Sequence, residues 1–183
     1  MFWFTSDTHF GHANIIKYTN RPFKTLEEMN EKLIRNWNEK VQPNDTVFFL
    51  GDFCFKNGPN GKEGEGVQKK AEDWIRQLNG NIVFIRGNHD NNNSLKTIIT
   101  EAVIDIGGHE INLVHNPAHA DKTFKFNICG HVHEKWKYQM TKTHVIINVG
   151  VDVWDFRPVS YQEIMEDFTK WKKENLKKEK KSK

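Results

Sequence analysis

Five short polar motifs stand directly behind apolar runs: Asp7-Thr8-His9, Gly51-Asp52, Gly87-Asn88-His89-Asp90, His115 and Gly130-His131-Val132-His133. Carboxylate, imidazole and amide side chains are hard or borderline ligands for divalent cations. A lone His behind a strand is usually a polar residue satisfied by its neighbours. Here five His, three Asp and one Asn recur behind successive strand-like segments, and that recurrence points to a metal centre. Side chains two apart on an extended chain point the same way. Asp7 with His9, and His131 with His133, are therefore expected to turn paired ligands towards one point, if extended geometry persists past each strand. Ligands of open α/β sheets collect at the carboxyl ends of strands, where all five motifs lie. Gly51, Gly87 and Gly130 precede ligand groups, where a missing side chain allows tight turns and close backbone approach.

The elements that must position these motifs are legible as short Val-, Ile- and Phe-rich runs. Strands are predicted at Phe2–Thr5, Thr46–Leu50, Asn81–Ile85, Glu110–Val114, Lys125–Cys129 and Val145–Asn148, with Ala102–Ile106 a further candidate. Leu26, Met29, Leu33, Ile34, Trp37 and Val41 recur at helical spacing behind a Thr25/Glu28 capping box. Val67, Ala71, Trp74, Ile75 and Leu78 mark a second helix closed by Asn79-Gly80, and Tyr161, Ile164, Met165, Phe168 and Trp171 a third, capped by Ser160 and Glu163. A short helix is expected after Ser94. Strand–helix alternation followed by successive strands predicts an α/β sandwich with mixed central sheets flanked by helices. The Gly-, Lys- and Asn-rich stretch Phe55–Gly66 reads as a surface loop near the second motif, either shaping access or simply connecting.

With 183 residues, 37% hydrophobic and 28% charged, the chain suits one domain, residues 1–171, with a sizeable core. The net charge of +3 is uneven, because seven Lys and two Glu crowd residues 172–183 and leave the body near neutral. This basic C-terminal tail reads as a solvated helix end, with nucleic acid or an anionic surface as the alternative. Cys54 and Cys129 read as buried thiols of a reducing compartment. No run is long enough to span a bilayer, and residues 1–7 lack a signal pattern, so a cytoplasmic protein is expected.

The ordered set D-x-H, G-D, G-N-H-D, H and G-H-x-H resembles the calcineurin-like metallophosphoesterases. More narrowly, Thr5–His12, Asn20-Arg21-Pro22-Phe23 and Asn148–Trp154 resemble a compact group of bacterial and phage phosphoesterases. The resemblance implies two divalent metal ions. Asp7, His9 and His133 would hold the first, Asn88, His115 and His131 the second, and Asp52 would bridge them. Mn or Fe is implied foremost, with Zn, Ni and Co also used in the family. The implied reaction is hydrolysis of a phosphate ester by metal-activated water. His89 is implied as general acid or transition-state donor, with Asp90 orienting its ring through the other nitrogen.

Several residues near the motifs are left open. His12, three after His9, is a candidate for substrate contact or for a layer behind the ligands, against a plain helix-start or surface histidine. Arg21 is a weaker candidate for a phosphate contact, with a surface salt bridge as the alternative. Asn116 either bonds substrate or caps a turn, and Asn148 is expected to pin the loop around the site. His109, His119 and His144 read as structural or exposed. Few residues remain for a cap domain or a long groove, which favours an open site for a small phosphate ester. A phosphodiesterase acting on a small nucleotide, cyclic ones included, is the leading expectation. A phosphomonoesterase, or a nuclease using the Lys tail, is the alternative. A non-catalytic scaffold is disfavoured because the ligand set is complete. No membrane partner is expected, nucleic acid is not favoured, and the oligomeric state is left open.

Overall fold

The computed structural model describes residues 1–55, 69–92 and 94–181. Most of the expected loop Phe55–Gly66, and Val67 of the second expected helix, lie outside the described residues. In chain order the elements are β1 (Phe2–Thr5), α1 (Ala13–Tyr18), α2 (Leu26–Lys40), β2 (Thr46–Leu50), α3 (Ala71–Ile75), β3 (Asn81–Ile85), β4 (Glu101–Ile106), β5 (His109–Val114), β6 (Phe126–Cys129), β7 (Tyr138–Met140), β8 (Val145–Asn148), β9 (Val159–Ser160) and α4 (Tyr161–Lys181). They form two mixed sheets, ordered β3-β2-β1-β9 and β4-β5-β6-β8-β7. The first is parallel over β1-β2-β3 with β9 antiparallel at one edge, and the second is parallel over β5-β6-β8 with β4 and β7 antiparallel at its two edges.

The two larger apolar cores follow from strand alternation. Trp3, Val47 and Phe49 face α1–α3 and bury against Ile15, Met29, Leu33, Trp37 and Trp74. Phe4, Leu50 and Ile85 face the other way and meet Ile111, Leu113, Ile128 and Ile147 of the second sheet. Ile164 and Phe168 of α4 join this inter-sheet core. Among the described residues no helix is long and apolar enough to cross a membrane.

The caps behave as their residue types require. Thr25 Oγ1 accepts the Glu28 N–H at 3.1 Å, while the Glu28 carboxylate takes the N–H of Lys24 at 2.8 Å, one residue earlier than a reciprocal box needs. Ser160 and Glu163 do close the reciprocal box that starts α4. The Lys-rich run beyond Trp171 continues α4 through Lys181.

Two expectations are corrected. The second helix is regular only over Ala71–Ile75 and then tightens into turns, with Gln77 and Leu78 bonding three residues back. No helix forms in the residues directly after Ser94. Instead Asp90–Asn92 makes a single 3₁₀ turn, and the Arg86 N–H bonds the Ile99 carbonyl at 2.7 Å, which draws this β-branched segment alongside the end of β3. α1, β7 and β9 were not predicted; β7 and β9 have three and two residues, too few to show a period.

The sheets converge where the parallel strands end. Ser6 bridges Gly150, the Val151 N–H bonds the Ser6 carbonyl, and the Val149 N–H bonds the Cys129 carbonyl. Behind β1, the N–H groups of Asp7 and His9 bond the carbonyls of Gly51 and Asp52 at 2.9 and 3.1 Å. The carboxyl ends of both sheets thus meet in one place.

Candidate metal centre

At that meeting point the chain leaves extended geometry. Asp7, His9, Asp52, His131 and His133 have φ of 57°, 50°, 60°, 71° and 49°. The expectation that paired ligands converge by strand alternation is therefore wrong in its geometry, although it reached the right residues. Left-handed φ is sparsely populated by non-glycine residues and costs of order 1–3 kcal/mol each where the surroundings must enforce it. Here the loop-to-loop hydrogen bonds enforce it.

The turns gather the side chains into two groups. Asp7, His9 and His133 bring ligand atoms within 4.8 Å of one another, and so do Asp52, His115 and His131. Asn88 Oδ1 completes the second group at 2.9 Å from both His115 Nε2 and His131 Nδ1. Asp52 Oδ2 lies between the groups, 3.7 Å from His9 Nε2 and 3.4 Å from His115 Nε2. All seven residues expected as ligands are thus brought together. Backbone glycines make room: a Cβ on Gly87 would strike the Asp52 carboxylate, and one on Gly130 would come within 2.5 Å of Asp7 Oδ2.

The donor set fits cations. Asp7 Oδ1 and His9 Nε2 are buried with no hydrogen-bond partner. Polar atoms left so are costly and point to an ion they would otherwise meet. The His9 ring stacks on His133 at 5.2 Å, and His115 meets His131 at 5.1 Å. Rings packed this closely favour neutral imidazoles, the form that ligates metal. Burial depresses His9 well below its ordinary value. Burial also pulls on His115, but its bond to Asp52 and the charge of Asp7 prevail and raise it to about 9. Those carboxylates are the charge a cation would meet, and a proton and a cation compete for the same Nε2 lone pair. Burial raises Asp7. It opposes the Asp52 anion too, yet the His115 contact holds Asp52 well below the ordinary carboxylate range. The thiols take no part: Cys54 and Cys129 are buried outside any disulfide, and burial pushes Cys54 up to about 12.

Behind the ligands a further layer sets tautomers. His115 Nδ1 donates to the Leu50 carbonyl at 2.7 Å, which turns Nε2 to the centre. His133 Nδ1 donates to Asp152 Oδ2 at 3.1 Å. Asp152 receives Nε and Nη2 of Arg21 at 2.8 and 3.0 Å, a bidentate pair with both side chains at most 2% exposed. Burial disfavours the Asp152 anion, but His133 and Arg21 hold it at about 2. Arg21 also donates to the carbonyls of Asp7 and Thr8 at 2.7 and 3.0 Å, fixing the left-handed turn. A phosphate contact by Arg21 is therefore overturned, because its guanidinium is spent beneath the ligands. Asp152 was missed, although it follows a strand and a glycine as the other motifs do. Ser6 was missed too; its hydroxyl donates to Asp7 Oδ2 at 2.6 Å.

The remaining candidates separate cleanly. His89 is 59% exposed at the mouth, with Nε2 at 4.0 Å from Asp52 Oδ2, and its backbone N–H donates to Asp52 Oδ1 at 2.9 Å. Asp90 accepts the backbone N–H groups of Asp52, Phe53 and Gly87, so it clamps the Asp52 loop rather than serving as the expected orienter of His89. His12 stacks on Phe55 at 4.3 Å and lies 5.6 Å from His9, on the rim. Asn116 caps the turn through Ala118, and Asn148 pins the loop by donating to the carbonyls of His133 and Trp136. His109 and His119 are exposed, and His144 is buried against Thr141 and Thr143.

Residues 2–159 match the family model of the calcineurin-like phosphoesterase superfamily domain. The chain belongs to this superfamily. This calcineurin-like chain is 42% identical over 176 residues to the uncharacterized protein MJ1445 of Methanocaldococcus jannaschii, a match covering 91% of the chain and 90% of the relative. It is 29% identical over 197 residues to the Gene 66 protein of Mycobacterium phage L5, covering 88% and 91%. Among solved structures, the protein of unknown function AQ665 from Aquifex aeolicus superposes with a TM-score of 0.65 at 26% identity, over 91% of this chain and 98% of that one.

Proposed function

We propose that this calcineurin-like phosphoesterase is a dinuclear metal-dependent phosphodiesterase acting on small nucleotide esters, cyclic ones included. The observation that carries the reading is Asp52 Oδ2 standing 3.7 Å from a histidine of one ligand group and 3.4 Å from a histidine of the other. On this reading Asp7, His9 and His133 would hold one divalent ion, Asn88, His115 and His131 would hold the other, and Asp52 would be shared between them. A set of oxygen and nitrogen donors without thiolate suits Mn or Fe, with Zn, Ni and Co within its range. Such ions, when bound, supply Lewis acidity to phosphoryl oxygens and acidify a water.

The chain's own residues do the rest. The Leu50 carbonyl and Asp152 lock His115 and His133 as Nε2 ligands. Arg21 and Asp90 hold the left-handed turns at Asp7 and Asp52 in place, so those ligands are preorganised. His89, exposed at the mouth beside Asp52, gives a proton or a hydrogen bond to the leaving oxygen.

The test is to load metal-free protein with Mn, Fe, Ni or Zn in turn. Bis-p-nitrophenyl phosphate, p-nitrophenyl phosphate, cyclic nucleotides and single-stranded nucleic acid are then screened. Turnover of diesters by the Mn or Fe form is expected. Activity confined to monoesters overturns the diesterase assignment, and none with any metal overturns the enzyme.

A further inference from the structure

A cavity of about 220 Å³ adjoins the second ligand group and is not used by the chemistry above. Asn88 and His115 form its inner wall, and Arg86, Asn91, Asn116 and His119 line the rest together with smaller groups. No member of the first ligand group borders it. It therefore extends to one side of the centre rather than over it. Its volume falls below the roughly 300–1,000 Å³ that encloses a whole small ligand, so it suits one substituent of a substrate.

The lining is rich in donors. Among the described residues no Asp or Glu borders the cavity. Arg86 is exposed at the end of β3, fixed through its backbone N–H to the Ile99 carbonyl, and its guanidinium has no ion-pair partner among the described residues. Asn116 spends its side-chain oxygen on the Ala118 N–H, which leaves its amide NH₂ to donate. The His119 ring is exposed beside it. A guanidinium fork with amide and imidazole donors, free of carboxylates, matches a phosphoryl group.

We propose that this cavity binds a second phosphoryl group of the substrate, so that the preferred ester is a nucleotide diester bearing a further phosphate. This rests on the phosphodiesterase reading, which supplies the scissile phosphate at the adjacent centre. Arg86 is then a specificity-determining residue. It contacts the non-reacting phosphate, and Asn116 and His119 support it.

The probe is thymidine 3′-(p-nitrophenyl phosphate), with and without a 5′-phosphate, turned over by the Mn-loaded protein. The 5′-phosphate should raise kcat/KM by roughly 10–100-fold, the range of a charge-assisted hydrogen-bonded contact. Arg86→Met should collapse that ratio to near one, and Arg86→Lys should keep part of it. Calorimetry gives a readout independent of turnover: thymidine 3′,5′-bisphosphate should bind tighter than the 3′-monophosphate, and Arg86→Met should erase the difference. A ratio of one in the wild type, or an unchanged ratio in Arg86→Met, overturns the subsite. If diesters are hydrolysed without this preference, only the subsite fails. If no ester is hydrolysed, the phosphodiesterase reading fails and the calorimetric difference alone decides the subsite.

Discussion

Replacing His89 by Ala should separate chemistry from assembly. The ring is 59% exposed and packs in neither core, and its backbone N–H, which holds Asp52 Oδ1 at 2.9 Å, survives the substitution. Exposed positions away from structural features change stability by no more than about 0.5 kcal/mol. Both metal ions should therefore still bind. Turnover should not survive, because Nε2 lies only 4.0 Å from the Asp52 oxygen placed between the two groups. Loss of a positioned acid typically lowers rate by about 10²–10⁴, equal to roughly 2.7–5.5 kcal/mol of barrier. The loss should be largest for esters whose leaving oxygen is a poor one, such as the ribose oxygen of a 2′,3′-cyclic nucleotide. It should be smaller for bis-p-nitrophenyl phosphate, whose phenolate leaves without help. Steady-state kinetics on both substrates, with metal content measured on the same samples, checks this. Near-normal turnover of the cyclic nucleotide by a fully metallated variant would refute the role.

Other outcomes follow from the same geometry. Asp52→Asn should lower occupancy of both metal sites, whereas Asn88→Ala should weaken chiefly one; metal analysis after dialysis tells them apart. Asp152→Asn should weaken metal binding by about 10–100-fold, the usual cost of losing a partner behind a ligand, and competition with a chelator reads it. Chelation should lower the melting temperature: metal at a hundred times its Kd stabilises by about 2.7 kcal/mol, or roughly 5–10 °C for a chain of this size. Asp45 is held at about 2, against an ordinary 3.8, by the Met1 ammonium and the Gln42 and Trp3 N–H groups. A depressed carboxylate stabilises above its unfolded pKa and loses that effect as pH falls, so the melting-temperature gap between wild type and Asp45→Asn should narrow from pH 5 to pH 3, within about a unit of that value.

Much of this architecture was legible because strands and ligands carry strong local signals. β1, β2, β3 and β8 fall where their apolar runs lie, and every residue of the two ligand groups belongs to a motif behind such a run. What was not legible is non-local or conformational. A positive φ at Asp7 or His133 leaves no mark in residue type, since Asp and His are also ordinary strand-end residues. The Arg21–Asp152 pair joins residues 131 positions apart, so nothing near either one announces it. In place of the helix expected after Ser94, the β-branched run Thr97–Thr100 lies against the end of β3, tied by the Arg86–Ile99 hydrogen bond between residues 13 positions apart.

The account turns on two ions sharing Asp52. Metal-free protein titrated with Mn, with bound metal and bis-p-nitrophenyl phosphate turnover measured at each step, tests that most directly. Activity should rise only as the second equivalent binds and should fail to appear in Asp52→Asn. Full activity with one equivalent or none, or two tightly held ions in Asp52→Asn, would contradict it.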